Sequence, residues 1–129
     1  EPSAPYHSDN KYVKDYIAES ELTDRGAKVI AEKLTHLTSL QIGCNNISDV
    51  GVAAVAKGLP KLTILNIIAV DNADNNKIGV AGATEIAKEL LNLTTLNISL
   101  MIDVGNNQIG DAGAEKIAKG LPNITILSI

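Results

Sequence analysis

Phenylalanine and tryptophan are absent from this chain, and its three tyrosines, Tyr6, Tyr12 and Tyr16, all fall within the first sixteen residues. Any core built by the remaining residues is therefore aliphatic, and a hydrophobic content of 45% supplies enough material for one. The single cysteine, Cys44, excludes an intramolecular disulfide and a cysteine-based structural zinc site. The fold does not depend on an oxidising compartment, so cytosol and secretion are both permitted. Basic residues are few and scattered: eleven Lys and Arg stand against fifteen Asp and Glu, for a net charge of -4. That balance argues against a nucleic-acid partner, which calls for a clustered Lys/Arg face. No apolar run approaches the roughly 18 residues needed to span a bilayer. The longest candidates, 62–70 and 96–104, are broken by Asn66, Asn97 and Asp103. The chain opens on Glu1 and not on Met, so any upstream segment or signal peptide is expected to lie outside this sequence.

What is present is repetition. Residues 22–34 (LTDRGAKVIAEKL), 47–59 (ISDVGVAAVAKGL), 78–90 (IGVAGATEIAKEL) and 109–121 (IGDAGAEKIAKGL) align without a gap. After the Gly of each, apolar residues recur at helical spacing: Ala27, Ile30, Ala31, Leu34; Val52, Val55, Ala56, Leu59; Ala83, Ile86, Ala87, Leu90; Ala114, Ile117, Ala118, Leu121. This predicts four short helices, each with one buried stripe. The opposite face carries Lys28, Glu32, Lys33, Lys57, Glu85, Lys88, Glu89, Glu115, Lys116 and Lys119 and reads as solvated surface. Asp24, Asp49 and Asp111 precede the Gly by two positions and are expected to cap the first turn of their own helix; Val80 departs from the pattern.

Between the helices lie strand-like segments: LTSLQI (37–42), LTILNI (62–67), LTTLNI (93–98) and ITILSI (124–129). Their starts at 37, 62, 93 and 124 are spaced 25, 31 and 31 residues apart. Strand-then-helix units repeating in one direction imply a parallel sheet with its crossover helices on a single face. Residues 1–10 hold two prolines and small polar residues and read as an extended lead-in. Residues 11–36 read as a degenerate first unit or cap, because Tyr12, Asp15 and Ile17 fall where Leu37, Leu40 and Ile42 fall one unit later. The expected organisation is an extended stretch over 1–10 followed by a single repeat domain over 11–129.

These residues resemble the leucine-rich repeat family. Its LxxLxLxxNxL pattern is met by Leu37, Leu40, Ile42, Asn45 and Ile47, and the helical GAxxIAxxL resembles the ribonuclease-inhibitor-like class and the Gly-Ala-Leu-Ala type repeats of some bacterial effectors. The likeness covers about residues 22–129. It implies an α/β solenoid: a short curved array, with the parallel sheet on the concave face and the helices on the convex face. It further implies that Asn45, Asn76 and Asn107 hydrogen-bond the backbone where strand bends towards helix. In related proteins the concave surface binds macromolecules, so the expected function is non-enzymatic protein–protein interaction.

The second and third units depart from the family by six extra residues each, near 68–73 (IAVDNA) and 99–104 (SLMIDV). The insertions share one place in adjacent units, so they are expected side by side on the rim beyond the strand C-termini, where ligands of open parallel sheets bind. They bring Ile68, Val70, Leu100, Met101 and Ile102 together with Asp71 and Asp103, either as a local flap over the end of the core or as an apolar patch for a partner. The candidate contact surface is therefore the rim loops 68–75 and 99–106 together with Gln41, Asn66 and Asn97 on the concave sheet. That sheet offers no aromatic and no Arg, the residue types that dominate interface energetics.

Two alternatives stand beside this reading. An uncapped last strand at 124–129 would offer open backbone groups to a second copy, giving an element that self-associates. The repeats could also be the recognition part of a larger effector or regulator. Catalytic and metal chemistry find little support. His36 and Cys44 sit at opposite ends of one strand segment, roughly 26 Å apart at about 3.3 Å per residue. Asp71, Asp74 and Asp103 supply hard oxygen donors but match no EF-hand. No cofactor is expected. The Asn-x-Ser/Thr sequons at Asn46, Asn92, Asn97 and Asn123 read as by-products of the repeat.

Overall fold

The structure is a computed structural model that describes residues 16–18, 22–43, 47–67, 78–98 and 109–129. Among the described residues strands and helices alternate: β1 (Tyr16–Ala18), α1 (Asp24–Lys33), β2 (Ser39–Gly43), α2 (Asp49–Gly58), β3 (Ile64–Asn66), α3 (Val80–Glu89), β4 (Thr95–Asn97), α4 (Gly110–Gly120) and β5 (Ile126–Ser128). The five strands form one parallel sheet in the order of the sequence, and successive helices pack on one another. Parallel neighbours joined by single-helix crossovers are what the strand-then-helix grammar dictates.

The register follows the repeat spacing. Leu40 lies beside Leu65, Leu65 beside Leu96, and Leu96 beside Leu127. Ile17 lies beside Ile42, the 25-residue offset that also relates Leu40 to Leu65. Leu40, Leu65 and Leu96 are fully buried, as are Ile67 and Ile98 at the strand ends. They meet Val52, Val55, Leu59, Ile86 and Leu90 from the helices in one aliphatic core between the two layers. Each such Leu or Ile contributes roughly 1.5–3 kcal/mol by leaving water.

Threonines stitch the strand entries together. The Thr63, Thr94 and Thr125 hydroxyls each donate to a carbonyl one unit earlier, those of Thr38, Thr63 and Thr94, at 3.1, 3.1 and 3.0 Å. Strands lie about 4.8 Å apart, whereas packed helices need 8–10 Å, so the stack bends with the sheet on its inner side. Small residues moderate the mismatch. A Cβ on Gly58 would stand 2.7 Å from the Ala31 carbonyl oxygen, and one on Gly120 would stand 2.8 Å from that of Ala87.

Two expectations about the helices are corrected. Asp24 and Asp49 do not cap their own helices but the next unit's. The Asp24 carboxylate accepts the Ser48 N–H at 2.7 Å and the Gly51 N–H at 3.0 Å, and it also receives the Ser48 hydroxyl. Asp49 accepts the Gly79 N–H at 2.7 Å and the Gly82 N–H at 2.9 Å. The carboxylate lies directly over the glycine of the following helix, where a Cβ on Gly51 would come within 2.4 Å of it. The free N–H groups of a first turn are thus satisfied across the unit boundary. The second correction concerns the outer helices: Leu34 is 41% exposed and Ala118 is exposed, whereas the equivalent Leu59, Leu90, Ala56 and Ala87 are buried. Both positions lie on the outermost helices, where Ala27, Ala31, Ile117 and Leu121 are nevertheless buried.

Candidate functional site

The face of the sheet opposite the helices displays two in-register rows. One runs Ser39, Ile64, Thr95, Ile126; the other runs Gln41, Asn66, Asn97, Ser128. Both rows arise from alternation. Leu40, Leu65 and Leu96 point into the core, so their neighbours on either side must point out. Apart from Ile126, which is 58% exposed, every member from β2 to β5 is half-buried.

The chemistry of this surface is uniform. Gln41, Asn66 and Asn97 place three side-chain amides on adjacent strands, and each amide group can both donate and accept. Ser39, Thr95 and Ser128 add hydroxyls, while Ile64 and Ile126 add apolar area. No member of the two rows from β2 to β5 carries a charge. Such a face offers hydrogen bonds and modest apolar contact, with neither a nucleophile nor a general base.

The structure therefore brings Gln41, Asn66 and Asn97 into one row. The remaining contact candidates, Ile68, Val70, Asp71, Leu100, Met101, Ile102 and Asp103, lie outside the described residues, as do Asn45, Asn76, Asn107 and Cys44. Among the described residues no group of three or more His, Cys, Asp or Glu is placed to hold a metal ion. Asp71, Asp74 and Asp103 are not among those residues. No helix among the described residues is long and apolar enough to cross a membrane.

The Asp24–Ser48–Gly51 and Asp49–Gly79–Gly82 bridges escaped sequence reasoning, because the Asp-x-Gly spacing does not say which helix the Asp serves. Asp-x-Gly recurs at 24–26, 49–51 and 111–113, and the one unit with Val80 in place of Asp is followed by an unusual helix start. There Gly110 has φ +61°, whereas Gly79, bonded to Asp49, is extended at φ -115°.

Parallel strands, one helix per crossover and a single helical layer define a leucine-rich-repeat solenoid. Residues 33–56 and 102–118 each match the family model described as "Leucine Rich repeat". Those two stretches are thus similar to leucine-rich repeats, and the parallel stack around them is consistent with that repeat fold. No curated protein and no solved structure matches it at a significant level.

Proposed function

We propose that residues 11–129 form one non-enzymatic protein–protein interaction array, with 11–36 as its capping first unit. The contact surface is the concave sheet together with the rim loops 68–75 and 99–106. The observation that supports this reading is the uncharged in-register row Gln41, Asn66, Asn97, Ser128, half-buried on the face opposite the described helices. A row of amides about 4.8 Å apart suits a partner that presents repeated hydrogen-bonding groups. Ile68, Val70, Leu100, Met101 and Ile102, with Asp71 and Asp103, would add an apolar, acid-edged lip. Neither nucleic acid nor membrane fits a neutral face on a chain of net charge -4.

The test uses a partner isolated with the wild-type chain and measured by titration calorimetry against two variants. Asn66→Lys with Asn97→Lys places charge in the middle of the row, and the second variant lacks 68–73 and 99–104. Each is expected to lose at least tenfold in affinity while keeping its circular dichroism. Unchanged affinity in both would remove the concave face and rim from consideration.

A second reading has its own support. Ile126, Leu127 and Ile129 are 58%, 41% and 45% exposed on the outermost strand, a flank that a further unit or a second copy of the chain would cover. Sedimentation velocity across a wide concentration range distinguishes the two readings. A concentration-dependent rise in mass, abolished by Ile126→Lys, supports copy-to-copy pairing; one constant monomer mass rejects it.

A further inference from the structure

The helix layer carries a second surface on the opposite side of the molecule from the concave sheet. Between α2 and α3, Lys57 and Glu85 approach to 4.0 Å, so opposite charges face each other across that gap. One unit on, the equivalent positions 31 residues later are Lys88 and Lys116. The gap between α3 and α4 therefore sets two cations where its neighbour sets an ion pair. Both line a groove of about 450 Å³, together with Lys119, Glu115, Ala87 and Gly120. The acid in this lining is already engaged, because the Lys119 ammonium donates to Glu115 at 2.7 Å. Lys88 and Lys116 are exposed. On a chain of net charge -4 the groove is a local cationic surface.

Its shape narrows the ligand. The floor lies at backbone level, because Gly120 has no side chain and packs against the buried Ala87. The methylene stems of the lysines can form apolar walls with their charges at the lip. Grooves of roughly 300–1,000 Å³ accommodate a ligand of many atoms and not a lone ion. Lysine ammoniums are mobile point charges that accept carboxylates in many poses, unlike the fixed fork of Arg.

We propose that the α3–α4 groove docks an acidic peptide segment of a protein partner, with carboxylates seated between Lys88 and Lys116. Charge complementarity carries the choice of occupant: like charges lining one groove are relieved by an anionic chain laid between them. The site is separate from the concave face, so it stands or falls independently of the reading above.

The probe is a fluorescent decapeptide of alternating Glu and Gly, compared with its Gln–Gly counterpart by anisotropy. The acidic peptide is expected to bind the wild-type chain at 50 mM salt, to weaken at least tenfold by 500 mM, and to outbind the Gln peptide. Lys116→Glu, which restores the Lys–Glu arrangement of the neighbouring gap, is expected to weaken binding tenfold or more with an unchanged melting temperature. Lys88→Glu is expected to do the same. The proposal is overturned if the acidic peptide fails to bind at low salt, or if both variants bind it as the wild type does. It is also overturned if anionic phospholipid vesicles or single-stranded RNA bind more tightly than the peptide and lose affinity in the same variants.

Discussion

Asp24 and Asp49 each do for the following helix what a capping residue ordinarily does for its own. Each accepts the N–H of the next unit's N-cap residue and that of its third helical residue. A hydrogen bond to a charged group is worth about 1.5–3 kcal/mol, so Asp24→Ala and Asp49→Ala should each lower unfolding free energy by about 2 kcal/mol in urea denaturation. Asp111 is solvent-exposed, and its replacement should cost under about 1 kcal/mol. The converse holds at Val80, which occupies the Asp position in front of α4. Val80→Asp should present a carboxylate to the start of α4, as Asp49 does to that of α3, and raise stability by about 1 kcal/mol. It should also draw Gly110 out of its φ of +61° towards the extended geometry seen at Gly79. A crystal structure of that variant checks the backbone change, and a denaturation curve checks the energy.

At the scale of elements, the same residue type has different weight in different units. Leu65 on β3 is fully buried between flanking units, while Leu127, its equivalent on β5, is 41% exposed. Leu65→Ala should therefore cost about 2–5 kcal/mol, and Leu127→Ala about 1 kcal/mol. Helix spacing is set by equally local contacts. Gly58→Ala would force a methyl group to within 2.7 Å of the Ala31 carbonyl oxygen, so α1 and α2 must part or bend. Overpacking of this kind costs typically 1–3 kcal/mol, and thermal melting of the variant measures it. The repeat grammar made these elements legible in the sequence: apolar residues at 3.6-residue spacing gave the four helices, and alternation gave the strands. Direction of capping was not legible, because an Asp two residues before a Gly has the same local spacing whether it serves its own helix or the next. The α3–α4 groove was equally hidden, since Lys88 and Lys116 read singly as solvated surface and gain meaning only from lining one groove.

At the scale of the whole molecule, each unit touches only its neighbours, and stability is distributed along the stack. Backbone amides of β3, α3 and β4, covered on both sides, should exchange most slowly with deuterium, and those of β1 and β5 fastest. Uniform protection across the five strands would contradict this nearest-neighbour picture. The two candidate surfaces should also respond differently to salt. The concave row is uncharged, so its affinity should change little between 50 and 500 mM salt, whereas affinity at the lysine groove should collapse.

Sequence alone determined the architecture. Four copies of one apolar pattern can bury their stripes only by stacking, and stacking fixes a parallel sheet whose register equals the repeat spacing, Leu40 beside Leu65 beside Leu96 beside Leu127. It also placed Gln41, Asn66 and Asn97 on the open face, because alternation leaves them nowhere else to point. Only the tertiary structure decided what crosses between units: which helix Asp24 and Asp49 cap, that Leu34 is exposed while Leu59 is buried, and that Lys88 and Lys116 line one groove. The reason is physical. Periodicity acts within a segment and is written in neighbouring residues, whereas a carboxylate's partner or a lysine's opposite number is set by groups some thirty residues away that only packing brings together.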